Sequence, residues 1–234
     1  MIADVVSKVA RVQDVLASET DIHWSPRELA ERSRYRDTCR QREWDTGRIL
    51  AKDLLLDQDG LRPETCEVLS VDANGRHVRP NVFWHGQRHP IPISISHQDG
   101  TIAVAIGMNP QLAVGIDVVS KRHLGSGFRE SWFSPDEQTW IEQGELCAAT
   151  AWGIKEAFYK AVSDEEPFAP RQIEILRIAG DASSCRYRGS DFSERCAIDV
   201  QQHLDCLVVT IAVQRDVRPI MEQSDYVDAM SFTS

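Results

Sequence analysis

The sequence predicts an α+β fold built from two similar lobes, and two observations lead to this prediction. Patterns typical of helices come before patterns typical of strands, and this order occurs twice along the 234 residues. In addition, three local motifs recur in the same order at a near-constant offset of 107 to 109 residues. The recurring motifs begin at Ser25 and Ser134, at Trp44 and Trp152, and at Pro63 and Pro170. Such repetition favours a duplicated fold over chance similarity between unrelated helix starts.

The repeat also divides the chain into predicted domains. We predict a first lobe over 23–110 and a second lobe over 111–218, followed by a polar tail over 219–234. Residues 1–22 are predicted to form a helical extension, because apolar side chains recur with helical spacing over 1–17. The interface between two similar lobes is a natural place for a cleft, so we expect the functional site there.

Helix starts are the clearest local signals. Ser-Pro-x-Glu predicts the first turn of a helix, because serine caps the N-terminus, proline fits the first turn and glutamate reaches back to the cap. A second helix is predicted in each half, over 41–57 and over 148–163. Short apolar stretches between turns that contain Gly and Asp predict strands. The predicted strands are 67–71, 93–96, 101–107, 114–118, 173–178, 197–200 and 207–214.

Composition and charge exclude several classes of protein. Hydrophobic residues make up 42% of the chain and charged residues 26%, which is ordinary for a soluble globular protein. No apolar run reaches the roughly 18–20 residues that span a bilayer, and no signal peptide is recognisable. The six cysteines lack a CxxC pair, which argues against a zinc site and fits a cytoplasmic protein with reduced thiols. The formal net charge of −10 argues against bulk nucleic-acid binding.

One segment differs from this acidic balance. Residues 27–52 carry eight basic and five acidic side chains. A basic patch on an acidic protein suits a small phosphorylated ligand. Five of these arginines also fit the solvent-exposed face of a helix. They are Arg32, Arg34, Arg36, Arg40 and Arg42.

Asp117 is the first candidate for chemistry, because it lies inside the apolar strand pattern LAVGIDVV. A buried carboxylate costs several kcal/mol unless a cation or hydrogen-bond donors compensate its lost hydration. Gly115, two residues earlier, leaves room for a ligand or a backbone to approach closely. The simpler alternative is an aspartate at the end of a strand that caps a turn.

A predicted helix with the sequence AWGIKEAFYKA carries Lys155, Glu156 and Lys160. Glu156 and Lys160 are four residues apart and therefore share one helix face. A surface ion pair is the alternative, but the helix is too aromatic to be freely solvated. His97 follows the strand pattern ISIS, where it is either a structural histidine or a donor to a phosphate.

Taken together, SISH, GID, FSPDE and WGIKEAFYKA resemble, in order and spacing, the signatures of the Sfp-type 4′-phosphopantetheinyl transferases. That family reads approximately (I/F)S(I/L)SH, (V/I)GIDxE and Wxx-KE-xxx-K, and the resemblance covers 24–214. It implies pseudo-two-fold lobes with the active site between them. It also implies transfer of 4′-phosphopantetheine from coenzyme A to a serine of an acyl or peptidyl carrier protein, with Mg²⁺ and release of 3′,5′-ADP.

The resemblance implies roles for the second-lobe residues. Asp117 and Glu156 would bind Mg²⁺, Glu156 would also act as general base, and Lys160 would steady the diphosphate of coenzyme A. The family often has a second acid two residues after the aspartate, where this chain has Val119. Some members without that acid have glutamine after SISH, as this chain does at Gln98. We therefore predict that Gln98, or a water it holds, completes the metal site.

For the first lobe, the resemblance implies a nucleotide side. Arg48 would bind the phosphates of coenzyme A, with His97 at the 3′-phosphate, and Lys52 is a further candidate. Arg76 lies where the family has Gly-(Lys/Arg)-Pro, although a histidine replaces the proline here. Lys155 is predicted to face either the nucleotide or the solvent.

The carrier protein is expected to contact the segment after GID, which includes Lys121, Arg122 and Phe128. Carriers of fatty-acid, polyketide and nonribosomal peptide synthesis all fit, and we expect a monomer with a pseudo-dimeric fold. The alternative is a non-catalytic relative that binds coenzyme A and has a degraded metal site. A scaffold with a decayed site fits less well, because the charged site residues are all present.

Overall fold

The structure, a computed structural model, describes residues 2–18, 23–121, 124–163, 167–177 and 183–215. The tail predicted over 219–234 and Arg122 lie outside these residues. Among the helices described, none is long and apolar enough to cross a membrane.

Each half of the chain combines helices with two small antiparallel sheets. The first half contains β1 (Val5–Arg11), α1 (Val12–Ser18), α2 (Pro26–Arg32), α3 (Thr38–Asp59), β2 (Cys66–Val71), β3 (His77–Trp84), β4 (Gln87–His89), β5 (Ile93–Gln98) and β6 (Thr101–Gly107). The second half contains β7 (Leu112–Ser120), α4 (Ser126–Trp132), α5 (Pro135–Glu142), α6 (Ala148–Val162), β8 (Ile173–Arg177), β9 (Ser183–Tyr187), β10 (Ser190–Asp191), β11 (Cys196–His203) and β12 (Cys206–Gln214). The prediction of an α+β fold is confirmed.

The two halves have the same strand order. In the first half the sheets run β1-β6-β5 and β2-β3-β4, and in the second half they run β7-β12-β11 and β8-β9-β10. Every pairing is antiparallel. The sequence repeat therefore coincides with a repeated topology.

The predicted N-terminal helix is wrong for most of its length. β1 pairs with β6, from Val5 opposite Gly107 to Arg11 opposite Thr101, and only α1 is helical. The valines of this segment fit a helical stripe as well as a strand, and pairing with β6 decides between the two. Val5 packs on the core between the lobes while Val6 packs on the first-lobe core, so both faces of β1 are used. The N-terminal segment is thus part of the first sheet rather than an extension.

Both predicted helix starts are confirmed, and each also ties its helix to a sheet. Ser25 forms a capping box with Glu28, and Ser134 forms one with Glu137. The second carboxylate oxygen of each glutamate accepts a hydrogen bond from a strand: Glu28 from the Val68 amide at 3.0 Å, and Glu137 from the Ile175 amide at 2.9 Å. In both halves, therefore, a glutamate caps the start of a helix and also binds the backbone of a strand.

The lobes meet through β5, β6 and β7. Ile116 and Val118 on β7 belong to a buried apolar cluster that also contains residues of β1, β6 and β12. The backbone amides of the same two residues donate to serine hydroxyls of β5: Ile116 to Ser94 at 3.1 Å and Val118 to Ser96 at 3.3 Å. This contact places Ser96 of the first lobe beside Asp117 of the second.

Candidate active site

Close packing between β7 and α6 builds the centre of the site. Alternation along β7 puts Gly115, Asp117 and Val119 on the face toward α6. A Cβ atom on Gly115 would lie 1.8 Å from the Ala157 carbonyl oxygen, and one on Gly153 would lie 2.7 Å from Val119 Cγ2. Two missing side chains therefore let the helix approach the strand, and Asp117 lies next to the helix face that carries Glu156 and Lys160.

Asp117 is only 2% exposed, and its two oxygens have different surroundings. Oδ1 accepts hydrogen bonds from Lys160 Nζ at 2.7 Å and from Ser96 Oγ at 2.8 Å. Oδ2 is buried and has no hydrogen-bond partner within the described part of the chain. A buried carboxylate oxygen without a donor is costly, so Oδ2 is a candidate atom for coordinating a cation.

Glu156 lies beside this carboxylate. Burial raises the pKa of Glu156 to about 7, and the nearby charge of Asp117 and a hydrogen bond with it act in the same direction, while Lys160 opposes them. Two carboxylates this close either share a proton or hold a cation between them. The structure thus brings together Asp117, Glu156 and Lys160, as the sequence predicted.

The two carboxylates fit a hard divalent cation. Mg²⁺ prefers oxygen ligands and usually takes only one or two carboxylates, with phosphates and water completing its shell. Across the described residues no group of three His, Cys, Asp or Glu side chains forms a fuller metal site. The protein would therefore supply Asp117 and Glu156, and a diphosphate ligand would supply the rest.

At the position where the family often has its second acid, this chain makes an apolar contact. Val119 is 4% exposed and packs against Gly153 of α6. Gln98 ends β5 on the same face as Ser96, two residues further along the strand. A ligand role for Gln98 remains a prediction.

A cavity of about 420 Å³ adjoins this centre on the first-lobe side. It is lined by Tyr35, Arg40, Glu43, Trp44, Arg48, Ser70, Pro80, Ile95 and His97. Arg40 Nη1 contacts His97 Nε2, which lies 3.6 Å from Glu43 Oε2. Burial lowers the pKa of His97, Glu43 and Asp117 oppose that shift, and Arg40 and Lys160 reinforce it. His97 therefore lines the cavity and also interacts electrostatically with Asp117 and Lys160.

Arg48 lines the same cavity, but its guanidinium is largely occupied. Its Nη2 donates to Glu31 Oε1 at 2.5 Å and to Ser70 Oγ at 2.8 Å, and its Nε donates to the Val68 carbonyl at 3.0 Å. Arg40, which the sequence also allowed as a solvated residue, reaches His97 directly. Arg40, Trp44 and Arg48 follow one another at four-residue steps, so they share a face of α3, and this spacing could have singled out Arg40.

Residues 113–212 match the model of the 4′-phosphopantetheinyl transferase superfamily. The match lies in the second half of the chain and covers less than half of its residues.

Two solved structures are similar over the same fraction of the chain. One is the holo-[acyl-carrier-protein] synthase from Neisseria meningitidis, with 19% identity over 44% of this chain and 98% of that chain and a TM-score of 0.35. The other is an apo-ACPS structure from Chronobacterium ammoiniagenes, with 22% identity over 44% of this chain and 98% of that chain and a TM-score of 0.34. No curated protein matches the chain.

Within the matched segment, the predicted role of Lys155 is corrected. Lys155 faces neither a nucleotide nor the solvent, because its side chain is fully buried and its Nζ pairs with Glu137 Oε2 at 2.8 Å. The same amine donates to the carbonyls of Pro170 at 3.0 Å and Ile173 at 2.5 Å. Burial lowers the pKa of Lys155, and the Glu137 carboxylate opposes that shift.

Lys52 is corrected for the same reason. Its Nζ pairs with Glu28 Oε2 at 2.7 Å and donates to the His23 carbonyl at 2.9 Å, and the side chain is 4% exposed. Lys52 and Lys155 thus play one structural part in the two lobes, each neutralising the capping glutamate. Neither amine is available to coenzyme A.

Arg76 is also displaced from the expected place. It is exposed, it closes the turn that begins at Asp72, and it does not line the cavity. Pro80, four residues later on β3, lines the cavity instead.

Of the residues expected to meet a carrier, Lys121 is exposed and Phe128 is half-buried. The Phe128 ring packs against Trp152 of α6, with ring centroids 4.8 Å apart. Trp132, at the end of α4, is 40% exposed. Their contact with a carrier protein remains a prediction.

Proposed function

We propose that the protein transfers the 4′-phosphopantetheine group of coenzyme A to a serine of an acyl or peptidyl carrier protein and releases 3′,5′-ADP. The observation that carries this proposal is the pair formed by Asp117 and Glu156, with Asp117 Oδ2 buried and unpartnered, inside the segment that matches the superfamily. A phosphoryl transfer of this kind needs positioning and charge stabilisation more than covalent chemistry.

The cavity at His97 is the proposed nucleotide site. Arg40 and His97 supply donors at its wall, and Arg48 supports them from the buried side. Guanidinium groups suit phosphate oxygens because they donate in pairs. We assign the 3′-phosphate of coenzyme A to Arg40 and His97.

The carboxylate pair is the proposed metal site. Asp117 and Glu156 would hold Mg²⁺, which when bound offsets the negative charge of the diphosphate. Lys160 neutralises Asp117 from α6, and its amine also donates to Ser96 Oγ at 2.9 Å and to the Ile116 carbonyl at 3.1 Å. To donate to the diphosphate as well, it would exchange one of these acceptors for a phosphate oxygen. Ser96 orients Asp117 by donating to the oxygen that Lys160 also contacts.

Glu156 is the proposed general base. Its pKa of about 7 belongs to the metal-free site. Bound Mg²⁺ would lower this pKa, so that Glu156 is ionised and able to accept a proton at neutral pH. It would take the hydroxyl proton of the carrier serine as the serine oxygen bonds to the β-phosphorus of coenzyme A and the bond to 3′,5′-ADP breaks. The surface after β7, with Lys121 and the aromatic residues of α4, would present a complementary face to an acidic carrier.

Mass spectrometry of several apo carrier proteins, incubated with coenzyme A, Mg²⁺ and this protein, tests the proposal. We expect one carrier class to gain the mass of one phosphopantetheine group, and to gain nothing when Mg²⁺ is chelated. If no carrier is modified although coenzyme A binds, transfer is ruled out for the natural chain.

A second candidate function is supported by Val119. Because a valine occupies the position of the family's second acid, the protein could be a relative that binds coenzyme A without turnover. Val119→Glu distinguishes the two functions, since it returns an anionic oxygen ligand to the site. A wild type that transfers nothing, together with a Val119→Glu variant that does, would establish the binding function. If the wild type is active, Gln98→Ala should raise the Mg²⁺ concentration for half-maximal rate.

A further inference from the structure

A second cavity lies between the lobes, apart from the cavity at His97. It has a volume of about 730 Å³ and is bounded by β3 and β4 of the first lobe and by α6 and the end of β12 of the second. Neither Asp117, Glu156 nor His97 lines it. It meets the His97 cavity at Pro80 and the carboxylate pair at Lys160. Its size is that of a small-molecule pocket.

The charged lining of this cavity is all of one sign. Its cationic residues come from both lobes, and none of the lining residues is acidic. Four of the cations are Arg79, Arg88, Arg195 and Arg215, and the fifth, Lys160, is already neutralised by Asp117. This is unexpected for a chain with a net charge of −10. Like charges gathered in one concave surface repel each other and attract an anion.

Two further observations indicate a ligand. Arg88 and Arg215 are exposed and, in the part of the chain that the structure describes, pair with no acidic side chain. His89, which also lines the cavity, has a buried Nδ1 atom with no hydrogen-bond partner among the described residues. A buried ring nitrogen without a partner is rare in folded proteins and is satisfied when a ligand or water binds.

Most of the remaining lining is apolar, and Asn81 and Gln214 are its polar members. Prolines and aliphatic side chains form much of it, and one aromatic ring adds to it. They are Pro80, Pro90, Ile91, Pro92, Ile93, Pro110, Ala113, Val114, Ala161, Val162, Phe192 and Val213. A ligand that matches both parts has an apolar body and a multiply charged anionic group. Phosphate is the better match than carboxylate, because it carries more charge and accepts paired donors from several guanidinium groups.

We propose that this cavity is a second anion site, distinct from the coenzyme A site, which binds a small phosphate ester with an apolar body. Two residues that line this cavity, Arg79 and Lys160, also make contacts that hold α6 in place. Arg79 donates to the carbonyls of Tyr159 and Ala161 at the end of α6, at 3.2 and 3.1 Å, and Lys160 pairs with Asp117.

Calorimetry on the full chain tests this site, with butyl phosphate as the probe, in chelator and both with and without saturating coenzyme A. We expect butyl phosphate to bind equally in both conditions and more tightly than inorganic phosphate or butyrate. Arg88→Gln and Arg215→Gln should each weaken this binding about three- to tenfold, as expected for a partly exposed charged contact. Arg62→Gln, the matched control at an exposed arginine outside the cavity, should leave it unchanged.

Four results would each overturn the proposal. They are no binding of butyl phosphate, displacement of butyl phosphate by coenzyme A, equal affinity for butyrate, and equal weakening by Arg62→Gln. Equal weakening by the control would show that the probe responds only to the general charge of the protein. The outcome does not depend on carrier modification, so it is independent of the proposed transferase activity.

Discussion

At the scale of single residues, the site depends on two carboxyl groups that the fold holds close together. Asp117 and Glu156 would repel if both were ionised, and the single amine of Lys160 reaches Asp117 on one oxygen only. The other oxygen of Asp117 is left without a donor. Two adjacent buried carboxyl groups reduce the stability of the fold, but they are suited to binding a cation. Unfavourable groupings of this kind are common at functional sites.

Replacing Glu156 by Gln should abolish carrier modification while preserving the fold. The amide neither takes the serine proton nor supplies an anionic metal ligand, so the loss should exceed the roughly 10²–10⁴-fold effect of removing a general base alone. Mass spectrometry of the carrier measures the rate, and circular dichroism checks the fold. Glu142→Gln, at an exposed glutamate of α5, is the control and should behave as wild type. A Glu156→Gln variant that keeps most of its rate at saturating Mg²⁺ would place the base elsewhere.

The raised pKa of Glu156 also predicts how stability depends on pH in the absence of metal. The folded state keeps the proton of Glu156 up to about pH 7, whereas the unfolded state releases it near the usual 4.5. The folded state therefore binds more protons between these values, so the contribution of Glu156 to the free energy of unfolding falls as pH rises through this window. Denaturant unfolding in chelator should show this fall, and Glu156→Gln should remove it. Mg²⁺ should restore stability above pH 7. A wild type and variant with parallel pH profiles would contradict the pKa.

Arg40 should decide how the protein recognises the 3′-phosphate. Arg40→Gln is expected to weaken coenzyme A binding about tenfold, because it removes one charge-assisted contact. The same variant should leave the weaker binding of dephospho-coenzyme A unchanged, so that the two ligands bind more equally. Calorimetry with both ligands measures the difference, and Arg42→Gln on the same helix is the control. Equal loss for both ligands would remove Arg40 from the 3′-phosphate.

The sequence predicted the centre of the site better than its surroundings. Asp117, Glu156 and Lys160 lie in two short motifs whose spacing already brings them to one strand and one helix face. Lys52 and Lys155 were misjudged because their partners are the capping glutamates, which are distant in sequence and adjacent only after folding. Spacing in the sequence does not distinguish a lysine that neutralises a buried acid from a lysine that faces a ligand.

At the scale of elements, the contact between α6 and β7 sets the geometry of the site. The helix passes so close to Gly115 that the Ala157 carbonyl oxygen occupies the place of a side chain. A hydrogen is the only substituent that fits between the two backbones. The position of Glu156 relative to Asp117 therefore depends on a residue that carries no chemistry.

Gly115→Ala should accordingly destabilise the protein and separate the two carboxylates. The new methyl group meets backbone atoms that cannot rotate away, so we expect a loss of about 2–4 kcal/mol in the free energy of unfolding. Denaturant unfolding measures this loss, and transfer activity should fall with it. Gly127→Ala in α4 is the control, because no atom lies within 4 Å of its added methyl group, and it should change stability by less than about 1 kcal/mol. If the two variants are equally stable, the helix and strand can move apart at little cost.

Element types were predictable where a local signal fixed them, as in the two capping boxes. The N-terminal segment shows the opposite case. Its valines fit both a helical stripe and a strand, and only β6, which lies about ninety residues away in the chain, gives it a partner. In the strand order of the first sheet, β1 takes the place that β7 takes in the corresponding sheet of the second half.

At the scale of the whole molecule, the two halves depend on each other for both packing and chemistry. The apolar face shared by β6 and β7 is buried only when the lobes are joined. The site takes Asp117, Glu156 and Lys160 from the second half, but Ser96 and His97 come from the first. The superfamily match covers residues 113–212 alone, so it includes the proposed catalytic residues but not the proposed nucleotide cavity.

A chain cut to residues 112–215 should therefore associate with itself and lose the proposed coenzyme A site. The cut exposes a contiguous apolar face that the first lobe otherwise covers, and faces of this kind drive association in water. Its buried members are Val114, Ile116, Val118, Val208 and Ala212. Sedimentation velocity should show dimers or larger species for the fragment and a monomer for the full chain, and calorimetry should show no coenzyme A binding to the fragment. Changing Ile116 and Val118 to threonine in the fragment should reduce its association, because the face becomes more polar while strand propensity is kept. A fragment that is monomeric and unfolds cooperatively would show that the second half completes its own core, and the lobes would then be joined for chemistry alone.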